Sequence, residues 1–201
     1  MTLGTDENLY LVALGSNLGD RWELLADAAH RIETTLGPVL AHAQVYETEP
    51  VGAADQLFLN SALVCASLLA PEAALAQLLA IEAVMGRVRR EKWGNRPIDL
   101  DLLLWRRAAD AVQVASRTYV SPSLTLPHPR LLERDFVLIP AVDVAADWVH
   151  PATGRTLAAE LTQRAYPSLA CPSADTIKSR ANPGACPATA SAASCLPASE
   201  A

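Results

Sequence analysis

The order of its apolar runs constrains this chain most. Leu9–Leu14 is a short continuous apolar run ending at Gly15, the pattern of a buried strand. Asp20 then precedes Arg21, Trp22 and Glu23, an N-cap with a carboxylate three places on. Leu25, Ala29, Ile32 and Leu36 follow at helical spacing, and Gly37-Pro38 stops the helix. Val39–Glu47 and Phe58–Leu68 read as two further strands. Pro71 suits a first helical turn, Leu75, Leu78, Leu79, Glu82 and Met85 continue that helix, and Gly86 ends it. Ile98–Trp105 is a fourth strand. The order is β-α-β-β-α-β, so the expected class is α+β, a ferredoxin-like sandwich whose helices cover one face of the sheet. Beyond Trp105 the sequence predicts an extra hairpin within Val112–Val120 and short helices over Pro129–Leu132 and Asp135–Val144. A turn-rich closing segment follows at Val149–Leu157.

Composition changes near Tyr166. From Pro167 to Ala201, Ala, Ser, Pro and Gly supply 22 of 35 residues, with no periodic apolar face. The expected organisation is one catalytic-size domain over 1–166 and a disordered Ala/Ser/Pro-rich tail over 167–201. The net charge of -6 argues against nucleic acid as a partner. No run of about 18 apolar residues suggests a membrane span. The N-terminus carries Asp6 and Glu7 and no basic region, unlike a secretory leader. Cys171, Cys186 and Cys195 have no metal-ligand spacing, and Cys65 lies in an apolar run as a small buried hydrophobe. The expectation is a cytoplasmic protein with reduced thiols, working as a monomer.

Charge is concentrated in one place. Between Gly86 and Pro97 lie Arg87, Arg89, Arg90, Lys92 and Arg96 against the single acid Glu91, which suggests a local anion site. Directly after comes Asp99-Leu100-Asp101. Alternate residues of a strand share a face, so both carboxylates project one way while Ile98, Leu100 and Leu102 project into the core. Two such carboxylates repel unless solvated or bridged by cations. Magnesium is usually held by one or two carboxylates together with substrate phosphates. Alone, the pair also fits an exposed acidic edge. The adjoining arginines favour a metal–phosphate site, with Gly86, Trp93 and Gly94 marking a possible flap. Gly15-Ser16-Asn17-Leu18-Gly19 fails both glycine-rich nucleotide fingerprints, and a tight structural turn is its default reading. His128, in Leu126-Pro127-His128-Pro129, is by itself no catalyst.

Six ordered motifs then carry a resemblance. They are Ala13–Asp20 (ALGSNLGD), Tyr46–Gly52 (YETEPVG), Phe58–Ala62 (FLNSA) and Glu82–Arg89 with its Gly-Arg-Val-Arg end. Trp93–Asp101 (WGNRPIDLD) and Leu126–Phe136 (LPHPR with RDF) complete the series. From about Tyr10 to about Leu161 the chain resembles the 6-hydroxymethyl-7,8-dihydropterin pyrophosphokinases of folate biosynthesis. The resemblance implies transfer of diphosphate from ATP to the pterin hydroxymethyl group, with release of AMP (EC 2.7.6.3). It implies two magnesium ions on Asp99 and Asp101, with Arg87 and Arg96 on the phosphates. Phe58 and Phe136 would sandwich the pterin, Asn60 would bond its edge, and Thr48, Pro50 and Val51 would line its pocket. Glu82, Arg89, Trp93, Thr125, His128 and Arg134 would surround the nucleotide. Position 58 is Phe where a familiar form of the family has Tyr, and the Arg89–Trp93 loop is one residue shorter. A non-catalytic module on the same scaffold and a metal-dependent phosphohydrolase are the competing readings. The retained Asp99, Asp101, Arg87 and Arg96 count against the first, and the aromatic and Asn positions against the second.

Overall fold

The computed structural model describes residues 4–50, 54–87, 94–110 and 115–164. The Val51, Arg89 and Trp93 positions and the 167–201 tail lie outside these residues.

Strand β1 (Asn8–Ser16) is the centre of the sheet, antiparallel to β4 (Phe58–Ser67) on one side and β5 (Asp99–Arg107) on the other. The outer edge of β4 carries two short strands, β2 (Val39–His42) and β3 (Tyr46–Thr48). The strand expected over Val39–Glu47 is therefore broken in two. Pairing with β4 shifts register between Val39 and Ala41 and is interrupted after His42, so no single straight run forms. The sheet order is β2-β4-β1-β5, with β3 beside β4.

Helix α1 (Arg21–Thr35) starts where the capping pattern predicts. The Asp20 side chain accepts from the Glu23 backbone N–H at 3.1 Å. Its stop has a steric cause as well as a conformational one. Gly37 has φ of +136°, and a Cβ there would meet the Ala66 carbonyl oxygen at 2.4 Å. Helix α2 (Pro71–Val84) begins on Pro71 and ends at Gly86, φ +86°. Arg87 N–H bonds the Glu82 carbonyl at 3.0 Å and Gly86 N–H the Ala83 carbonyl at 3.1 Å. This is a Schellman closure, and it brings Arg87 back beside Glu82.

Helices cover both faces, not one. Leu25, Ala28 and Ile32 of α1 and Ala74, Leu78 and Ile81 of α2 pack on one side against Val12, Leu63, Leu100 and Leu102. On the other side, α3 (Asp135–Ala145) and α4 (Leu157–Gln163) place Val137, Leu138, Ala141 and Leu157 with Leu11, Val64, Leu103 and Leu104. The reason lies in β4, whose ten residues are all buried. A strand apolar on both faces requires cover on both. Helix α4, only 7 residues long, is too short to show an apolar period in the sequence. It starts on Thr156, whose side chain accepts from Ala159 N–H. The extra hairpin forms later than expected, from β6 (Tyr119–Val120) and β7 (Thr125–Leu126). Residues 111–114 of the expected hairpin lie outside the described segments. A 3₁₀ turn at Leu131–Glu133 replaces the short helix expected over Pro129–Leu132.

Candidate active site

The cleft follows from three rows of residues across the sheet on its α3 side. In the first row Val64, Leu11 and Leu104 are register partners, all apolar under α3. The next is Ala62, Ala13 and Asp101, and the last is Asn60, Gly15 and Asp99. Along β1 the side chains shrink from Leu11 to Ala13 to Gly15, so the packed layer opens into a cleft. Its floor is Gly15, with Asn60 on one side and Asp99 on the other. A β-bulge, with Leu11 opposite Leu104 and Val12 opposite Leu102, inserts Leu103 into β5. Leu103 and Leu104 thus both pack under α3, while Leu100 and Leu102 face α1 and α2. Asp99 and Asp101 share the opposite face from Leu100 and Leu102, as strand alternation predicts.

The cleft has about 540 Å³ of empty space, part of it open solvent. It is lined by Ala13, Gly15, Thr48, Glu49, Phe58, Asn60, Arg96, Asp99, Asp101, Arg134, Phe136 and Val137. Asn60 Nδ2 donates to Thr48 Oγ1 at 2.7 Å. That bond leaves the amide oxygen and one N–H for a ligand edge. The Arg96 guanidinium lies 5.5 Å from the Phe58 ring centroid, and that of Arg134 lies 5.6 Å from the Phe136 centroid.

Asp99 is ion-paired with Arg87 and, at 3.3 Å, with Arg96. Arg87 is also ion-paired with Glu82. Burial opposes the Arg87 charge, but Asp99 and Glu82 outweigh it and hold its pKa above the ordinary value. Burial, and then the charge of Asp99, pushes the Asp101 carboxyl above its usual range; His128, Arg134 and Arg87 pull it back. Burial lowers His128, with Asp101 opposing. Among the described residues no group of three or more His, Cys, Asp and Glu side chains converges as a metal cage.

Five of the expected residues do not line this cleft: Arg87, Pro50, Glu82, Thr125 and His128. Glu82 is buried behind β5, where its carboxylate accepts from Leu100 N–H at 2.7 Å and holds Arg87. Thr125 is exposed on the β6–β7 hairpin, and Pro50 follows Glu49 without lining the cleft. His128 is tied through its backbone N–H to the Leu103 carbonyl at 2.8 Å. Ala13, Gly15, Glu49 and Val137 were not singled out as ligand-lining. The shrinking Leu11, Ala13, Gly15 series was the available signal for the first two. The Gly15–Gly19 turn also acts as a clasp. Asn17, fully buried, accepts from Arg96 N–H at 2.7 Å and donates to Asn95 Oδ1 at 2.7 Å and to the Gln56 carbonyl at 3.3 Å.

Residues 11–146 match the model of the 7,8-dihydro-6-hydroxymethylpterin-pyrophosphokinase family, more than half of the chain. The chain belongs to that family. Among its pyrophosphokinase relatives is the 2-amino-4-hydroxy-6-hydroxymethyldihydropteridine pyrophosphokinase of Porphyromonas gingivalis. The two are 42% identical over 144 residues, covering 70% of this chain and 92% of the relative. The Bacillus subtilis protein of the same name is 36% identical over 148 residues, 73% of this chain and 83% of its own. The folic acid synthesis protein fol1 of Pneumocystis carinii is 38% identical over 154 residues. There the match takes in 76% of this chain but only 20% of the fungal protein. A crystal structure of an HPPK-DHPS in complex with substrates has a TM-score of 0.60 at 13% identity, covering 78% of this chain and 45% of that one. That likeness concerns the fold.

Proposed function

We propose that this cleft transfers diphosphate from ATP to the hydroxymethyl group of 6-hydroxymethyl-7,8-dihydropterin in folate synthesis, with AMP as the second product. The observation that carries the reading is the last row of the sheet. Asn60, suited to the edge of a heterocycle, and Asp99, suited to a cation–phosphate group, flank Gly15 as register partners. A ring held by Asn60 and a polyphosphate held near Asp99 therefore lie side by side, the proximity a transfer between them needs.

In this reading Phe58 and Phe136 stack on the two pterin faces, displacing the guanidinium groups now near each ring. Thr48 forms the pterin wall and fixes the Asn60 amide, and Pro50 and Val51, next along the chain, are proposed to meet the ring beyond the present lining. Arg87 and Arg96 exchange their carboxylate partner for phosphate oxygens, which guanidinium groups match in paired bonds. Glu82, Arg89, Trp93, Thr125, His128 and Arg134 belong to the nucleotide side. For Glu82 the contribution is to hold Arg87, given its burial. A new bond joins the hydroxymethyl oxygen to the β-phosphorus, the bond from that phosphorus to the bridging oxygen breaks, that oxygen leaves with AMP, and the hydroxyl proton passes to solvent.

Asp99 and Asp101 fit magnesium. They are two carboxylates on one strand face, and burial next to Asp99 disfavours a bare charge on Asp101. The absence of a third protein ligand among the described residues suits an ion whose other ligands are phosphate oxygens and water. Two ions are proposed, and their chemistry is neutralisation of the charge on the transferring group. The chain's own part is positioning: aromatic faces, an oriented amide and arginines placed before the substrate arrives.

The strand order β2-β4-β1-β5 supports the ferredoxin-like arrangement. The composition change near Tyr166 is the ground for proposing a catalytic domain over 1–166 and a tail over 167–201. A monomer working in the cytoplasm completes the proposal. The deciding assay supplies ATP, magnesium and hydroxymethyldihydropterin and separates the nucleotides formed. AMP and pterin diphosphate are expected, and both should vanish on chelation of the metal. ADP as the sole nucleotide product would refute the assignment.

A further inference from the structure

The wall of the cleft that carries Thr48 is thin. Strand β3 is 3 residues long, at the edge of the sheet, and pairs only with β4. Its pairs are Tyr46 with Asn60, Glu47 with Leu59 and Thr48 with Phe58. The first and last of these backbone pairs bear on the ring site, because Asn60, Thr48 and Phe58 line it. Three pairs make a weak ladder on their own. After the Thr48–Phe58 pair the two strands part.

At that point a side chain from another element holds them together. Arg21 is the first residue of α1, on the opposite face of the sheet from the cleft. Its Nη1 donates to the Leu57 carbonyl at 2.8 Å, next to Phe58, and its Nη2 donates to Glu47 Oε1 at 2.9 Å, next to Thr48. Both charged side chains are under a third exposed, so the pair is less screened than one at the open surface. The guanidinium fork spans two acceptors in fixed geometry, which a single ammonium does not reproduce. Strand alternation explains the two-sided arrangement. Glu47 points to α1, whereas Tyr46 points to α3, where its hydroxyl donates to Asp143 Oδ2 at 2.7 Å.

We propose that Arg21 is a positioning residue for ring recognition: by joining Glu47 to the Leu57 carbonyl it closes the end of the β3–β4 ladder and fixes Thr48, Phe58 and Asn60 in mutual register. This rests on the pterin assignment for its kinetic consequence, but not for its structural one. Arg21 touches no part of the cleft. Its loss therefore acts first on the ring wall, whereas the phosphate side on β5 keeps its own ladder with β1 and meets the wall only through Arg96.

The test compares Arg21→Ala, Arg21→Lys and Glu47→Gln with the unaltered chain. Hydrogen exchange at the amides of residues 46–48 and 58–60 reads the ladder without reference to activity. Arg21→Ala is expected to lose protection there and to keep it in β1 and β5. In the AMP assay at saturating ATP, Arg21→Ala should raise the KM for hydroxymethyldihydropterin about tenfold, with kcat and the KM for ATP within about twofold. Arg21→Lys should fall between. Glu47→Gln, whose amide oxygen accepts the same bond, should lie near the unaltered chain. Unchanged exchange in Arg21→Ala, or a lower Tm with an unchanged pterin KM, overturns the proposal. Failure of the unaltered chain to make AMP would instead sink the pterin assignment, and the exchange result would still decide the clamp.

Discussion

The two faces of the same three strands make the most instructive comparison in the molecule. Towards α1 and α2, the rows are Cys65, Tyr10 and Trp105, then Leu63, Val12 and Leu102, then Ser61, Leu14 and Leu100. Across these three rows only Ser61 breaks the packed layer; polar Ser67, Asn8 and Arg107 form the row beyond, at the end of β1 away from the cleft. Towards α3 the first row is equally apolar, the second already contains Asp101, and the third is Asn60, Gly15 and Asp99. One face is used for stability along its whole length. The other is used for stability at one end and gives up packing at the other, where small and polar residues leave space for ligands. The price is visible in Asp101, a carboxyl that burial and Asp99 both push towards its neutral form.

This division predicts that the two faces fail differently. The largest effect is expected at Asp101. Asp101→Asn should lower AMP formation by about 10³-fold, because a charge aimed at the reacting phosphates is lost. In metal-free buffer its Tm should not fall, since the substitution removes a buried charge beside a like charge. A variant that unfolds, or one that keeps near-normal turnover, would break the distinction.

Next comes the opposite face. Leu63 is fully buried among Val12, Leu102 and the α1–α2 layer. Leu63→Ala should cost about 2–5 kcal/mol of stability by chemical denaturation. The activity of its folded fraction, assayed well below Tm, should stay within about threefold. Gly15 tests the boundary between the faces. A Cβ there would lie 3.0 Å from Asn60 Oδ1, so the amide must shift by a few tenths of an ångström. Gly15→Ala should therefore weaken pterin binding about tenfold, measured by titration in the presence of a non-hydrolysable ATP analogue, with Tm changed by no more than a few degrees.

How much of this was legible in the sequence follows from the same division. The stabilising face announces itself, because apolar runs and caps are local signals. Asp20, Gly37, Pro71 and Gly86 mark the ends of α1 and α2 where the structure has them. The carboxylate pair was legible too, since strand period alone puts Asp99 and Asp101 on one face. What local pattern does not contain is which strands lie next to each other. Gly15 reads as an ordinary turn glycine until β4 and β5 place Asn60 and Asp99 on either side of it. Glu82 reads as one more polar helical position until the Schellman closure of α2 folds Arg87 back onto it. The break between β2 and β3, and the cover provided by α3 and α4, depend likewise on partners distant in sequence.

The smallest expected effect lies at the end of β5 farthest from the cleft, and it serves as the control for the comparison. Asp110 accepts from Arg107 N–H at 2.9 Å, and Arg117 grips its two oxygens at 2.9 Å each. The Arg117 hydrogen bond, in spite of some burial, holds its carboxyl down at about 2. A depressed folded pKa contributes stability above the unfolded value, about 3.9, and loses it as pH falls towards 2. Arg117 is nearly half exposed, so screening keeps the contribution to about 1 kcal/mol or less. Asp110→Asn should accordingly lower Tm slightly at pH 7, and the gap between the two Tm curves should close as pH is taken from 4 to 2. Turnover should be unchanged, because nothing in this cluster reaches the Asn60, Gly15 and Asp99 row. A fall in activity would mean that the polar end of the α3 face depends on the far end of β5, and that the two functions of this sheet are not separated along its strands.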